Sequence, residues 1–129
     1  MILDSNFLFI PPQFQVDIFE ELKKLLNQRF EPVLLYSTYQ ELLKIAEHGT
    51  PRLRGQASLA LELAEKCSIV SVEMHCGENA DDVILRVAKE WRCPVATNDR
   101  ELRKRLRREG VATIFLRQRA YLAMEGLIH

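Results

Sequence analysis

Hydrophobic and polar positions along this chain switch repeatedly between the period of a strand and the period of a helix. Ile2-Leu3 reads as a short buried strand ended by Asp4-Ser5-Asn6, and Pro11-Pro12 predict a loop after it. From Val16 to Leu26 the apolar residues Val16, Ile18, Phe19, Leu22, Leu25 and Leu26 recur at helical spacing, with Asp17, Glu20, Glu21, Lys23 and Lys24 on the other face. Val33-Leu34-Leu35-Tyr36 is a second strand. Ser37 and Thr38 then open a helix carrying Leu42, Leu43, Ile45 and Ala46, closed near Gly49 and Pro51. A third helix is predicted from Arg54 to Lys66, a third strand from Ser68 to Val72, and a fourth helix from Asp81 to Trp91 that buries Val83, Ile84, Val87, Ala88 and Trp91. Val95-Ala96-Thr97, a basic helix from Arg100 to Glu109 capped by Gly110, and Val111 to Leu116 complete the alternation.

Strands separated by helices predict a three-layer α/β/α sandwich around a central parallel sheet of about five strands, joined by right-handed crossovers. Each connection is long enough to hold the helix that a parallel pairing needs. The length of 129 residues fits one domain, 1–129, and a hydrophobic content of 47% is enough for a core. No internal repeat, low-complexity stretch or linker interrupts it.

Charge changes the picture through its placement. Eighteen basic residues balance eighteen acidic ones, so net charge names no partner. Yet Arg100, Arg103, Lys104, Arg105, Arg107, Arg108, Arg117 and Arg119 crowd one stretch, a distribution that points to nucleic-acid contact as much as to a solvated face. Cys67, Cys76 and Cys93 are odd in number and lack paired metal spacing, which predicts reduced thiols in a cytoplasmic chain. His75 beside Cys76 has no second pair to complete a zinc site, and His48 and His129 have no motif around them. No apolar run is long enough to span a bilayer, so no membrane partner is expected.

The acids gain meaning from the predicted topology. Asp4 and Asp99 follow apolar strands, and Glu41 and Asp81 lie in first turns of helices leaving the same sheet edge, where α/β folds place their sites. Each has a purely local reading. Asp4 starts a turn, Thr38 and Glu41 make a Thr-x-x-Glu capping box, Asp81 and Asp82 complement a helix dipole, and Asp99 caps the basic helix. Four carboxylates on one rim would raise one another's pKa, a cost that divalent cations remove. Oxygen donors without nearby histidine or cysteine suit one or two Mg²⁺ or Mn²⁺ ions rather than zinc.

Leu3-Asp4-Ser5-Asn6, Glu41 after the second strand, Asp81-Asp82-Val83-Ile84-Leu85-Arg86-Val87-Ala88 and Thr97-Asn98-Asp99 resemble, in order, the four acidic motifs of the PIN-domain ribonucleases. The resemblance covers essentially the whole chain. Within the family, Pro11-Pro12-Gln13-Phe14, the Asp81-Asp82 pair, Ala96 to Leu102, the basic helix and Ile114 to Gln118 are most similar to compact archaeal proteins related to the eukaryotic nuclease that processes small-subunit pre-ribosomal RNA. Ser5 stands where the family commonly has threonine, and no zinc module is appended.

The resemblance implies a metal-dependent endoribonuclease in which Asp4, Glu41, Asp81 and Asp99 hold the ions, with Asp82 as the alternative to Asp81. Asn6 and Thr97, and more weakly Ser5, would orient acids or water from behind. Leu102 and Leu106 should face the core, which leaves Arg103, Lys104, Arg107 and Arg108 exposed to join Arg100 and Arg117, with Arg119 as an addition, on RNA phosphates. The expected partner is RNA; a second copy of the chain, a ribosome-assembly factor or an antitoxin stay open. Alternatives are a toxin-type ribonuclease, a PIN-like module that binds RNA or protein without cutting, and a phosphoacceptor receiver. A receiver needs an acid ending its third strand and a lysine after its fifth, where this chain has Glu73 and Arg117.

Overall fold

In the computed structural model, residues 1–27 and 29–126 are described; His129 lies outside the described residues. Strand β1 (Ile2–Leu3) is followed by three helices, α1 (Ser5–Leu8), α2 (Ile10–Phe14) and α3 (Ile18–Leu25), then by β2 (Val33–Leu35). Helices α4 (Tyr36–His48) and α5 (Pro51–Ala64) lead to β3 (Ser68–Val70), and α6 (Ala80–Trp91) leads to β4 (Val95–Ala96). Helix α7 (Arg100–Arg108) and the hairpin of β5 (Thr113–Arg117) with β6 (Tyr121–Glu125) close the described fold.

Three expectations need correction. Trp91, expected on the buried face of α6, sits at the end of that helix and is 42% exposed, while Val83, Ile84, Val87 and Ala88 are buried as expected. The stretch around Pro11 and Pro12 is helical, because both prolines fall in the first turn of α2, where a missing N–H costs nothing and a fixed φ fits the helix. The sheet has six strands in the order β3-β2-β1-β4-β5-β6. Its first five are parallel as predicted, while β6 pairs antiparallel with β5 in a register running from Thr113 opposite Glu125 to Arg117 opposite Tyr121.

Alternation along the strands sends neighbouring side chains to opposite layers. Leu3, Leu34, Ala96 and Ile114 pack on the α1–α5 side with Phe7, Leu8, Ile18, Leu22 and Leu42. Ile2, Leu35 and Val95 pack on the other side with Val83, Ile84 and Val87 of α6 and Leu102 and Leu106 of α7. The result is the three-layer sandwich. Its central strand β1 pairs with β2 through Ile2 and Val33 and with β4 through Leu3 and Ala96. Strand order reverses between β1 and β4, so the carboxyl ends of these two strands flank the switch-point crevice. No helix among the described residues is long and apolar enough to cross a membrane.

Candidate active site

The crevice is built first from β1. Where Leu3 ends the strand, Asp4 becomes the N-cap of α1, its Oδ1 accepting from Ser5 N at 2.8 Å. Its Oδ2 accepts from Asn6 Nδ2 at 3.0 Å and from Thr97 Oγ1 at 2.8 Å, across from β4. Asp4 is only 6% exposed. Burial lifts its pKa to about 6 despite the bonds from Thr97 and Ser5, and the nearby Asp81 and Glu41 carboxylates push it further the same way.

Thr97 and Asn6 tie the two strands' ends into one unit. Fully buried Thr97 accepts from Asp99 N at 3.1 Å while donating to Asp4, and Asn6 Oδ1 accepts from Asn98 N at 2.9 Å. Asn98, for which the sequence predicts no role of its own, accepts from Leu116 N at 2.8 Å and so clamps the β4–α7 loop onto β5. Its position between Thr97 and Asp99 was the available signal.

Glu41 comes from the second turn of α4. Helix α4 begins a residue earlier than expected, with Leu35 at its N-cap and no side-chain cap, so the Thr38–Glu41 capping box does not form. Thr38 is buried instead, and Glu41 Oε1 accepts from Ser5 Oγ at 3.3 Å. The Glu41 carboxyl is pushed up by burial and by Asp81, against the bond from Ser5 and the pull of Lys44.

The Asp81–Asp82 pair divides its labour. Asp82 is committed to structure: it forms a reciprocal capping box with Asn79, and its Oδ1 accepts from Arg105 Nη2 at 2.7 Å. Those partners hold its carboxyl below its usual range, the Asn79 backbone first and Arg105 second. Asp81, and not Asp82, is the member of the pair whose charge reaches Asp4 and Glu41. Asp81 is pushed up by burial and by Asp99, with Asp82 adding to the shift and Arg105 opposing it. Asp99 caps α7, its Oδ1 accepting from Glu101 N at 2.9 Å and Leu102 N at 3.3 Å. From that cap position Asp99 is near enough for its charge to help raise the Asp81 carboxyl.

The four acids Asp4, Glu41, Asp81 and Asp99 thus feel one another as a linked set, Asp4 with Glu41 and Asp81, and Asp81 with Asp99. Among the described residues no three Asp, Glu, His or Cys side chains stand close enough to hold one ion between them. The donor set fits a hard cation: carboxylate oxygens, three of them on groups whose raised pKa values positive charge would relieve. Mg²⁺ commonly keeps several waters and takes one or two carboxylates.

The basic helix differs from expectation at Arg103 and Arg107. Arg103 is four-fifths covered: its guanidinium lies 3.5 Å from the centre of the Phe115 ring and its Nη2 donates to Glu125 Oε1 at 3.1 Å. Arg107 Nη1 reaches Glu125 Oε2 at 3.4 Å, although most of the Arg107 side chain is exposed. These two fasten α7 to β6. Arg100, Lys104, Arg108, Arg117 and Arg119 are exposed, Lys104 with a loose 3.7 Å pairing to Glu101.

A parallel α/β sheet with an acidic crevice at its switch point and cations on the adjacent helix has the architecture of a nuclease. Residues 1–119 match the PIN like domain family, and the chain belongs to that family. It is 30% identical over 130 residues to ribonuclease VapC4 of Methanocaldococcus jannaschii, covering 99% of this chain and 98% of that protein. Ribonuclease VapC9 of Archaeoglobus fulgidus is 24% identical over 117 residues, covering 91% of this chain and 82% of its own. The rRNA-processing protein fcf1 of Schizosaccharomyces pombe is 29% identical over 109 residues, which span 84% of this chain and 53% of fcf1. In three dimensions the solved PIN domain endonuclease Utp24 superposes with a TM-score of 0.80 at 28% identity, covering 98% of this chain and 91% of that one.

Proposed function

We propose that this protein is an endoribonuclease that hydrolyses RNA phosphodiester bonds at Asp4, Glu41, Asp81 and Asp99 with Mg²⁺ or Mn²⁺. The observation that carries the reading is buried Asp4, whose carboxyl is lifted to about 6 with Glu41 and Asp81 as its charged neighbours. A fold that only needed an N-cap on α1 would not gather two further acids around it. The names of its relatives, ribonucleases and an rRNA-processing protein, support RNA as the substrate.

A bound divalent ion would acidify an attacking water and stabilise charge on the phosphate. The chain's residues supply the rest. Asp4 and Asp81 would offer oxygens to the ion; Thr97 and Asn6 donate to the Asp4 carboxylate and hold it in place, and Ser5 donates to Glu41. Among the described residues no histidine joins these contacts, so proton transfer would fall to the carboxylates and water.

RNA processing is the first reading, supported by the likeness to the rRNA-processing protein fcf1. A toxin role is the second, favoured by VapC4 over nearly the full length of both chains. In the decisive assay, purified protein with Mn²⁺ or Mg²⁺ cuts single-stranded or structured RNA while Asp4→Asn does not. Equal cleavage by both proteins would reject the site. Growth arrest on expression, relieved by Asp4→Asn, would select the toxin reading; discrete cuts in precursor rRNA without arrest would select processing.

A further inference from the structure

Of the four acids, Asp81 is the one delivered by an exposed loop. The loop leaves β3, an edge strand that ends at Val70, and reaches α6 at Ala80. Residues 73–77 are all exposed, so that span has no apolar anchor. Polar contacts hold it instead. His75 N donates to Glu78 Oε1 at 2.8 Å and Glu78 N to His75 O at 3.1 Å, around Gly77 at φ 82°. Arg86 closes the loop from α6: its Nε donates to Glu78 Oε2 at 2.8 Å, and its Nη2 to Glu78 Oε1 at 3.0 Å and to the Glu73 carbonyl. Both charged side chains are largely covered, Arg86 at 21% and Glu78 at 15% exposure.

We propose that Arg86 is a positioning residue for the divalent ion: by fastening both ends of the β3–α6 loop it fixes the first turn of α6, and so sets the place of the Asp81 carboxylate. The inference rests on the endoribonuclease reading and adds to it a residue outside the acids. Arg86 lies five residues beyond Asp81, about 140° round the helix axis, and its Nε and Nη2 are taken up by the loop. It therefore acts through Asp81 and not on the reacting atoms. The first fully buried residue of α6 is Val83, so the turn that carries Asp81 precedes the apolar anchorage of the helix. That turn is braced twice. Asn79 and Asp82 cap it reciprocally, and Arg105 of α7 donates to Asp82 at 2.7 Å, while Arg86 holds Glu78 on the loop side. With Glu78, Asn79 and Asp82 so engaged, Asp81 is the acid of the turn left to an ion. A guanidinium suits the loop-side brace, because its rigid fork grips a carboxylate by two parallel bonds and still reaches a carbonyl, which an ammonium cannot do.

The test measures the Mn²⁺ dissociation constant by titration calorimetry, with RNA cleavage across Mn²⁺ concentrations in parallel. Arg86→Gln and Glu78→Gln should each weaken Mn²⁺ binding about tenfold, the lower end of what losing a partner behind a metal ligand costs. Arg86→Lys keeps the charge without the fork and should recover only part of that loss. The double variant Arg86→Gln with Glu78→Gln should bind within about twofold of either single one, since all three remove the same clamp. Saturating Mn²⁺ should bring kcat back to within about twofold of the wild type, and RNA affinity in chelator should not move. Lys89→Ala, which breaks the Lys89–Glu109 pair between α6 and α7 without touching the loop, should bind Mn²⁺ as the wild type does. Should Arg86→Gln fail to fold, Glu78→Gln and Arg86→Lys read the same constant. Wild-type Mn²⁺ affinity in the clamp variants, or an equal loss in Lys89→Ala, overturns the positioning role, and the nuclease reading then survives alone if the wild type still cuts. If the wild type cuts nothing while Mn²⁺ affinity still falls in the clamp variants, the clamp stands and the cleavage reading falls; a wild type that binds no Mn²⁺ overturns both.

Discussion

Asp4 ionises against its surroundings. Its native pKa of about 6 lies above the ordinary 3.8, so between those values the folded protein holds a proton that the unfolded chain has lost. Metal-free stability is therefore greatest below about pH 4 for this group and is lost as pH rises through about 6, by roughly 3 kcal/mol at full ionisation. Glu41 and Asp81 are shifted in the same direction and add to the slope. Asp4→Asn should raise metal-free stability at pH 7.5, by about 1–2 kcal/mol after the bond from Asn6 Nδ2 is removed, and flatten its decline with pH. Losing an outer partner of a metal ligand costs about 10–100-fold, so the same variant, which alters a ligand itself, should cleave RNA at least about a hundredfold more slowly. Thermal melts across pH 4–8 in chelator, with and without the substitution, decide the first point. A lower melting temperature for Asp4→Asn at pH 7.5 would show that its hydrogen bonds outweigh its charge.

At the scale of elements, α7 and the β5–β6 hairpin show what the sequence disclosed and what it withheld. The spacing of Leu102 and Leu106 gave the buried face of α7, and both are fully buried. That spacing could not show Arg103 lying on Phe115 or Glu125 accepting from it, because β6 itself was not legible. A two- or three-residue hairpin turn is usually announced by Gly or Asn at positive φ. Here Gln118 and Arg119 adopt φ of 54° and 57° without either signal. Gln118→Gly should therefore stabilise the fold by about 0.5–1 kcal/mol, relief of left-handed strain exceeding the added chain entropy; a midpoint shift in urea at constant m-value measures it. Arg103→Ala should destabilise by about 1–2 kcal/mol, from the ring contact and a partly covered ion pair. Arg100→Glu with Lys104→Glu should leave the melting temperature nearly unchanged, weaken RNA binding, and reduce the salt slope by roughly 0.7 for each phosphate that is no longer neutralised. An unchanged slope would assign α7 to structure alone.

For the whole molecule, the alternation of periods was enough to predict a layered sheet, since β1 to β4 are short and each is followed by a helix. The same pattern put Asp4 and Asp99 at strand ends and Glu41 and Asp81 on helices leaving them. It could not choose between Asp81 and Asp82, because neighbours on a helix differ by about 100° of rotation, and only the packing of α6 against α7 brings Arg105 to Asp82. Nor could it show how closely the acids approach. Their spacing leaves the metal-free crevice with uncompensated negative charge and no direct three-ligand cage among the described residues. A divalent cation should therefore act as a folding ligand as well as a cofactor. At a concentration 100 times its dissociation constant it should add about 2.7 kcal/mol, or about 4 °C per kcal/mol in a chain of this size. The increment should be larger at pH 7.5 than at pH 5, where protons already occupy Asp4, and should largely vanish in Asp81→Asn with Asp4→Asn, whose crevice has two fewer charges. Asp82→Asn should keep it, since that carboxylate is spent on Asn79 and Arg105. Melting curves with Mn²⁺, Mg²⁺ and chelator on these proteins settle the matter: an equal rise in the wild type and the double variant would place the ion elsewhere on the surface.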